Sequence, residues 1–101
     1  MYYIYILYTK VADKYYVGYS KNPWERVKQH NINTGDKFTG KYKGWELVAV
    51  FQVSENESEA VRMEKFIKQQ KSRKLIEKLI NPNFILEGKF AQLDRVPYVR
   101  D

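Results

Sequence analysis

Apolar and aromatic residues fill the run Tyr2-Tyr3-Ile4-Tyr5-Ile6-Leu7-Tyr8 and return after a short polar stretch, Thr9 to Lys14, as Tyr15-Tyr16-Val17-Gly18-Tyr19. Aromatic and β-branched residues suit the pleated surface of a strand, so the two runs predict a β-hairpin. Pairing Tyr8 with Tyr15 sets its register. Because side chains alternate between the faces of a strand, Tyr5 and Tyr16 then lie on one face as diagonal neighbours.

The period changes after the hairpin. Asn22 suits a helix cap and Pro23 the first helical position, where a missing N–H costs nothing, so a helix is expected from Pro23 to Asn31. Arg26 and His30 stand four apart within it and project from one face, with Val27 beside them as the core contact. From Ile32 to Gly44 the pattern dissolves into Asn, Thr, Gly, Asp and Lys, which marks a basic loop carrying Lys37, Lys41 and Lys43. Trp45 to Val53 is apolar at almost every position and predicts a central third strand, with Leu47, Ala49 and Phe51 opposed to Val48, Val50 and Gln52.

Helical spacing returns in Ala60, Met63, Phe66 and Ile67, which predicts a helix from Glu57 to Lys71 capped by Ser54 or Asn56, with Glu64 on the flank of the apolar stripe. A second helix, or an extension of the first, covers Ser72 to Ile80 before Asn81-Pro82 stops it. The remainder carries no clear period and reads as a packed tail or a mobile arm. These elements imply an α+β fold, a three-stranded antiparallel sheet flanked by helices, over residues 1–80, with residues 81–101 as a C-terminal extension of the same domain. A chain of 101 residues holds one compact core and lacks room for two ordinary domains.

Charge changes the picture more than length does. Eighteen Lys and Arg against twelve Asp and Glu leave a formal charge of +6, and from Lys65 to Lys78 six basic residues accompany one acid, Glu77. Such a surface suits a polyanionic partner. The absence of cysteine excludes disulfides, thiolate metal sites and thiol nucleophiles. The apolar N-terminal run has no basic region before it and no small-residue cleavage site after it, and no stretch approaches membrane-spanning length. The expected setting is therefore soluble and cytoplasmic, with no membrane partner.

Phosphodiester hydrolysis needs a cation to neutralise the phosphate oxygens, a group to take a proton from water, and a clamp on the charge that builds up. Glu64 can ligate a hard cation such as Mg²⁺, which commonly takes only one or two protein carboxylates. Its plainer reading is a helix-supporting pair with Lys68, four residues on. Arg26 offers a planar fork of donors to a phosphate, and His30 exchanges protons near neutral pH. Tyr5 and Tyr16 bring phenols, weak bases unless a cation lowers their pKa.

Taken in order, Tyr3-Ile4-Tyr5, Tyr16-Val17-Gly18, Arg26, His30-Asn31 and a later helical Glu64 resemble the motif series of the GIY-YIG endonuclease superfamily, especially its small single-domain bacterial members. Tyr3 stands where the name-giving glycine would be, Val17 replaces an isoleucine, and Tyr19 follows the second motif where some relatives place a lysine. The resemblance implies Tyr5 as the residue that activates or orients water, Tyr16 as its hydrogen-bonding partner, Arg26 as phosphate stabiliser, His30 as auxiliary proton carrier and Glu64 as ligand of Mg²⁺ or Mn²⁺. It implies a metal-dependent endonuclease that hydrolyses DNA, DNA ranking ahead of RNA, with a place in repair or recombination and a protein partner to supply specificity. The rival class is a non-catalytic nucleic-acid-binding module of the same fold. Candidate phosphate contacts are Lys21, Lys37, Lys41, Lys68, Lys71, Arg73 and Lys74.

Overall fold

The structure, a computed structural model, describes residues 1–32 and 42–97. Strands β1 (Tyr2–Thr9) and β2 (Lys14–Ser20) form the hairpin, and helix α1 (Pro23–Ile32) follows. Strand β3 (Trp45–Ser54), helices α2 (Glu57–Gln69) and α3 (Arg73–Ile80), a 3₁₀ turn (Gly88–Gln92) and a two-residue strand β4 (Asp94–Arg95) complete the order. The sheet is antiparallel throughout and runs β2-β1-β3-β4. It has four strands where the apolar pattern predicts three. A two-residue strand is too short to show an alternation, and β4 exists because Phe51 and Gln52 pair with Arg95 and Asp94.

Tyr8 pairs with Tyr15 as the hairpin register predicts. Strand β3 departs from simple alternation. Its pairing with β1 shifts between Ile6 and Leu7, so that Ile6 faces Ala49 and Leu7 faces Leu47, with Val48 as the extra residue of a bulge. The bulge moves Leu47 to the side of Val50, away from Ala49 and Phe51, and so corrects the expected grouping of the strand.

The two faces of the sheet bury different chemistry. Ile4, Ile6, Val17, Ala49 and Phe51 meet Met63, Ile67 and Leu79 from α2 and α3, an aliphatic cluster onto which Phe84, Leu86 and Phe90 also pack and which Leu93 completes. The opposite face joins Tyr5, Leu7, Trp45, Leu47 and Val50 to Trp24 and Val27 of α1. Each fully buried large apolar side chain contributes about 1.5–3 kcal/mol of transfer free energy, so the aliphatic face carries much of the fold.

Helix ends follow local chemistry. Asn22 Oδ1 accepts from Glu25 N at 3.1 Å and starts α1, and Asn56 Oδ1 accepts from Ser58 N at 2.9 Å and starts α2. Lys71, at φ 47°, adopts the left-handed conformation that breaks α2 from α3, and Ser72 Oγ caps the new helix by accepting from Leu75 N at 3.1 Å. Arg95 ties the last segment down. Its guanidinium donates to Leu79 O at 3.0 Å and Pro82 O at 3.2 Å, satisfying a carbonyl of the last turn of α3, and its cation lies 5.3 Å from the Phe51 ring centroid.

Candidate active site

Strand β1 turns the Tyr5 ring toward α1, and β2 must let it pass. Tyr5 faces Gly18, and a Cβ at Gly18 would lie 2.5 Å from the Tyr5 hydroxyl oxygen and 2.6 Å from Cζ. Only a residue without a side chain leaves room for the phenol, which explains a glycine inside an apolar strand. Tyr16, paired with Leu7, sits diagonally from Tyr5 at 6.3 Å between ring centroids.

Helix α1 supplies the groups that meet the hydroxyl. His30, one turn beyond Arg26, is 3% exposed and places Nε2 2.9 Å from the Tyr5 oxygen, while its ring lies 5.0 Å from that of Tyr16. The Arg26 guanidinium donates to Gln29 Oε1 at 3.0 Å, and its positive charge pulls the Tyr5 pKa down. With His30 in the tautomer that leaves Nε2 without a proton, the Tyr5 hydroxyl donates to it. Tyr5 is 1% exposed, and burial, followed by the neighbouring Tyr16, pushes its pKa up to about 12 against the smaller downward pull of Arg26. It is a neutral phenol at neutral pH.

Glu64 approaches from α2, on the other side of the β2 edge. Its side chain is 16% exposed and forms an ion pair with Lys68 at 3.3 Å, and Lys68 Nζ in turn lies 5.1 Å from the centroid of Tyr16. The carboxylate is near enough to add to the upward push on the Tyr5 pKa. Tyr5, Tyr16, Arg26, His30 and Glu64 thus gather about the middle of the hairpin, with Lys68 as the link between Glu64 and Tyr16. Among the described residues, no three carboxylate, histidine or cysteine side chains form a metal cluster.

The remaining candidates lie elsewhere. Lys21 is exposed at the end of β2, with Nζ 5.3 Å from the Tyr2 ring centroid. Lys71 and Lys74 are exposed on the α2–α3 side. Arg73 holds the hairpin turn: it donates to Asp13 Oδ1 at 2.5 Å and Asp13 O at 3.1 Å, pairs with Glu77 at 3.5 Å and covers the Tyr15 ring at 4.9 Å. Lys37 and Lys41 fall outside the described residues.

Two residues of the motif series gain a role only from the fold. Gly18, the last residue of Tyr16-Val17-Gly18, is one: it makes room for the Tyr5 ring. Asn31 is the other: its side-chain amide donates to Trp45 O at 2.9 Å and accepts from Trp45 N at 2.8 Å, fastening the end of α1 to the start of β3 beside His30. Tyr19, in the position where some relatives place a lysine, donates to Glu57 Oε2 at 3.3 Å.

The chain is similar, at 33% identity over 83% of its length and 87% of the other chain, to the solution NMR structure of the UPF0213 protein BH0048 from Bacillus halodurans, with a TM-score of 0.49. The comparison with curated proteins returns no match. The model of the GIY-YIG catalytic domain matches residues 1–78, which span every element from β1 to most of α3. The chain therefore belongs to the GIY-YIG family of nucleases, whose substrates are nucleic acids.

Proposed function

We propose that this chain is a divalent-metal-dependent endonuclease that hydrolyses DNA phosphodiester bonds, with Tyr5 at the point of proton transfer. The observation that carries the reading is the buried Tyr5 hydroxyl 2.9 Å from an imidazole nitrogen that can receive its proton, His30 Nε2, with the charge of Arg26 acting on the same phenol. With its pKa near 12, Tyr5 is a poor source of phenolate at neutral pH, so it works as a relay. As water attacks phosphorus, the Tyr5 oxygen takes a water proton and passes its own to His30 Nε2, leaving a neutral phenol and an imidazolium. No phenolate accumulates. Arg26, whose charge acts on the same phenol, turns its donors to the phosphate oxygens as negative charge grows there.

Glu64 suits a hard divalent cation. A single half-buried carboxylate, ion-paired with Lys68, matches the ligand demand of Mg²⁺ or Mn²⁺, which keep most of their waters. When bound, such an ion neutralises phosphate charge and lowers the pKa of water at the site. Lys68, the ion-pair partner of Glu64, would then be available to the nucleic acid. A setting in DNA repair or recombination accords with a small nuclease whose choice of substrate depends on a partner.

Plasmid nicking under Mg²⁺ tests the relay. Tyr5→Phe is expected to lower the rate by about 10²–10⁴-fold, the usual contribution of general acid–base catalysis, while DNA binding persists. A Tyr5→Phe protein that nicks at the parental rate would overturn the role of Tyr5. The non-catalytic module of the same fold is the reading that gains if neither protein nicks any DNA.

A further inference from the structure

Beside Tyr16, a groove of about 450 Å³ opens between β2 and the α2–α3 turn. Its floor is Val17, Ile67, Ile76 and the edge of Tyr15, and its rim carries Lys71 and Arg73. The volume falls within the roughly 300–1,000 Å³ typical of clefts that enclose small organic groups. Tyr16 and Lys68 line it as well, and these are the two side chains that join Glu64 to the Tyr5–His30 pair. The groove is therefore continuous with the candidate active site.

We propose that this groove holds one unpaired nucleotide next to the scissile phosphate, so that the substrate is a strand end, flap or gap in preference to intact duplex. The inference rests on the nucleic-acid reading of the active site and adds the form of the substrate. Cations and ring faces alternate along the groove: Lys68 lies 5.1 Å from the centroid of Tyr16, and Arg73 lies 4.9 Å from that of Tyr15. A nucleotide presents the same alternation, an apolar π face and then a phosphate, and bases lie readily against aromatic rings and guanidinium planes. A base within a duplex has both faces covered by its neighbours and cannot reach an apolar floor. An extruded or terminal base can, while its phosphate meets Lys71, which makes no ion pair among the described residues.

Lys71 adds a second line of argument. It occupies the left-handed position between two helices where glycine is the ordinary residue, and glycine there would relieve the backbone. Its charged side chain stands instead on the groove rim. This makes Lys71→Gly a variant that keeps or improves the fold while removing the cation.

The test uses the whole chain carrying Glu64→Ala, which keeps DNA uncut. Affinity and emission are measured with a hairpin duplex bearing 2-aminopurine in a single-stranded overhang and with the same hairpin made blunt, the probe then being paired. The overhang is expected to bind about tenfold more tightly, with the emission of the probe changed on binding, and the preference is expected to collapse toward unity in Lys71→Gly and in Ile76→Ser. Equal affinity for the two hairpins, an unchanged emission, or a preference retained in a folded Lys71→Gly protein would each overturn the proposal. Overhang preference in a chain whose Glu64-intact form never cuts leaves the groove standing and removes the catalytic reading. Cutting of blunt and overhang DNA at one rate removes the groove alone.

Discussion

The two faces of the sheet are built from one strand and do different work. Along β1, Ile4 and Ile6 point into an aliphatic cluster with Phe51, Met63, Ile67 and Leu79, and Tyr5 and Leu7 point the other way toward α1. One face buries carbon against carbon, where the gain scales with area removed from water. The other buries a phenol and an imidazole, which meet in a hydrogen bond of 2.9 Å. The lesson is that a single residue step along β1 separates the part of the molecule that holds it together from the part that performs chemistry.

Substitutions on the two faces should therefore fail in different ways. Tyr5→Phe is expected to remove about 10²–10⁴-fold of nicking activity yet cost only about 1–3 kcal/mol of stability, the penalty for leaving a buried partner without its hydrogen bond. Phe51→Ala, at a side chain that is fully buried, is expected to cost about 3–5 kcal/mol in denaturant unfolding, a large share of what a small domain possesses, with the specific activity of the remaining folded protein unchanged. The contrast breaks if Tyr5→Phe unfolds the chain as severely as Phe51→Ala.

Alkaline titration sharpens the same contrast. A phenol ionises near 10 in an unfolded chain, whereas Tyr5 holds its proton to about 12. Between those values the unfolded state binds fewer protons than the folded one, so stability falls as pH rises. The stability tied to the neutral Tyr5 is fully present below pH 10, and about 2–3 kcal/mol of it is lost by pH 12. Unfolding free energies measured across pH 9–12 should fall less steeply in Tyr5→Phe than in the parent. Tyr8 and Tyr19 are shifted in the same direction and remain in both proteins, so the difference isolates Tyr5.

A smaller effect probes the passage between the faces. Gly18→Ala places a methyl 2.5 Å from the Tyr5 hydroxyl oxygen, so the ring must move. The expected cost is about 1–3 kcal/mol of stability for overpacking, with an activity loss of about 10²-fold from displacement of the hydroxyl relative to Arg26 and His30. A folded Gly18→Ala protein with full activity would show that the position of the phenol is not critical.

Much of this architecture is legible in the chain itself, and the exceptions share a cause. The hairpin register follows from two aromatic runs and a short polar link, and Arg26 with His30 follows from helical spacing, because both are local. The bulge at Val48 leaves no mark, since Leu47 to Val50 are all apolar and any register satisfies them. Strand β4 depends on Arg95 finding the carbonyls of Leu79, in α3, and of Pro82, just beyond it, 16 and 13 residues away. Arg73 reads as one more solvent-facing cation until the fold brings Asp13 to it from 60 residues away. The link from Glu64 through Lys68 to Tyr16 is likewise tertiary, and it is what brings a residue of α2 to the site on the opposite face.

The most direct test of the central claim is a cleavage assay on supercoiled, linear, single-stranded and branched DNA with Mg²⁺, Mn²⁺ or chelator, comparing the parent chain with Glu64→Ala purified in the same way. The account predicts cleavage by the parent that requires the divalent ion and disappears in Glu64→Ala. Cleavage that survives the substitution, or DNA binding without cleavage of any substrate under either ion, would contradict it.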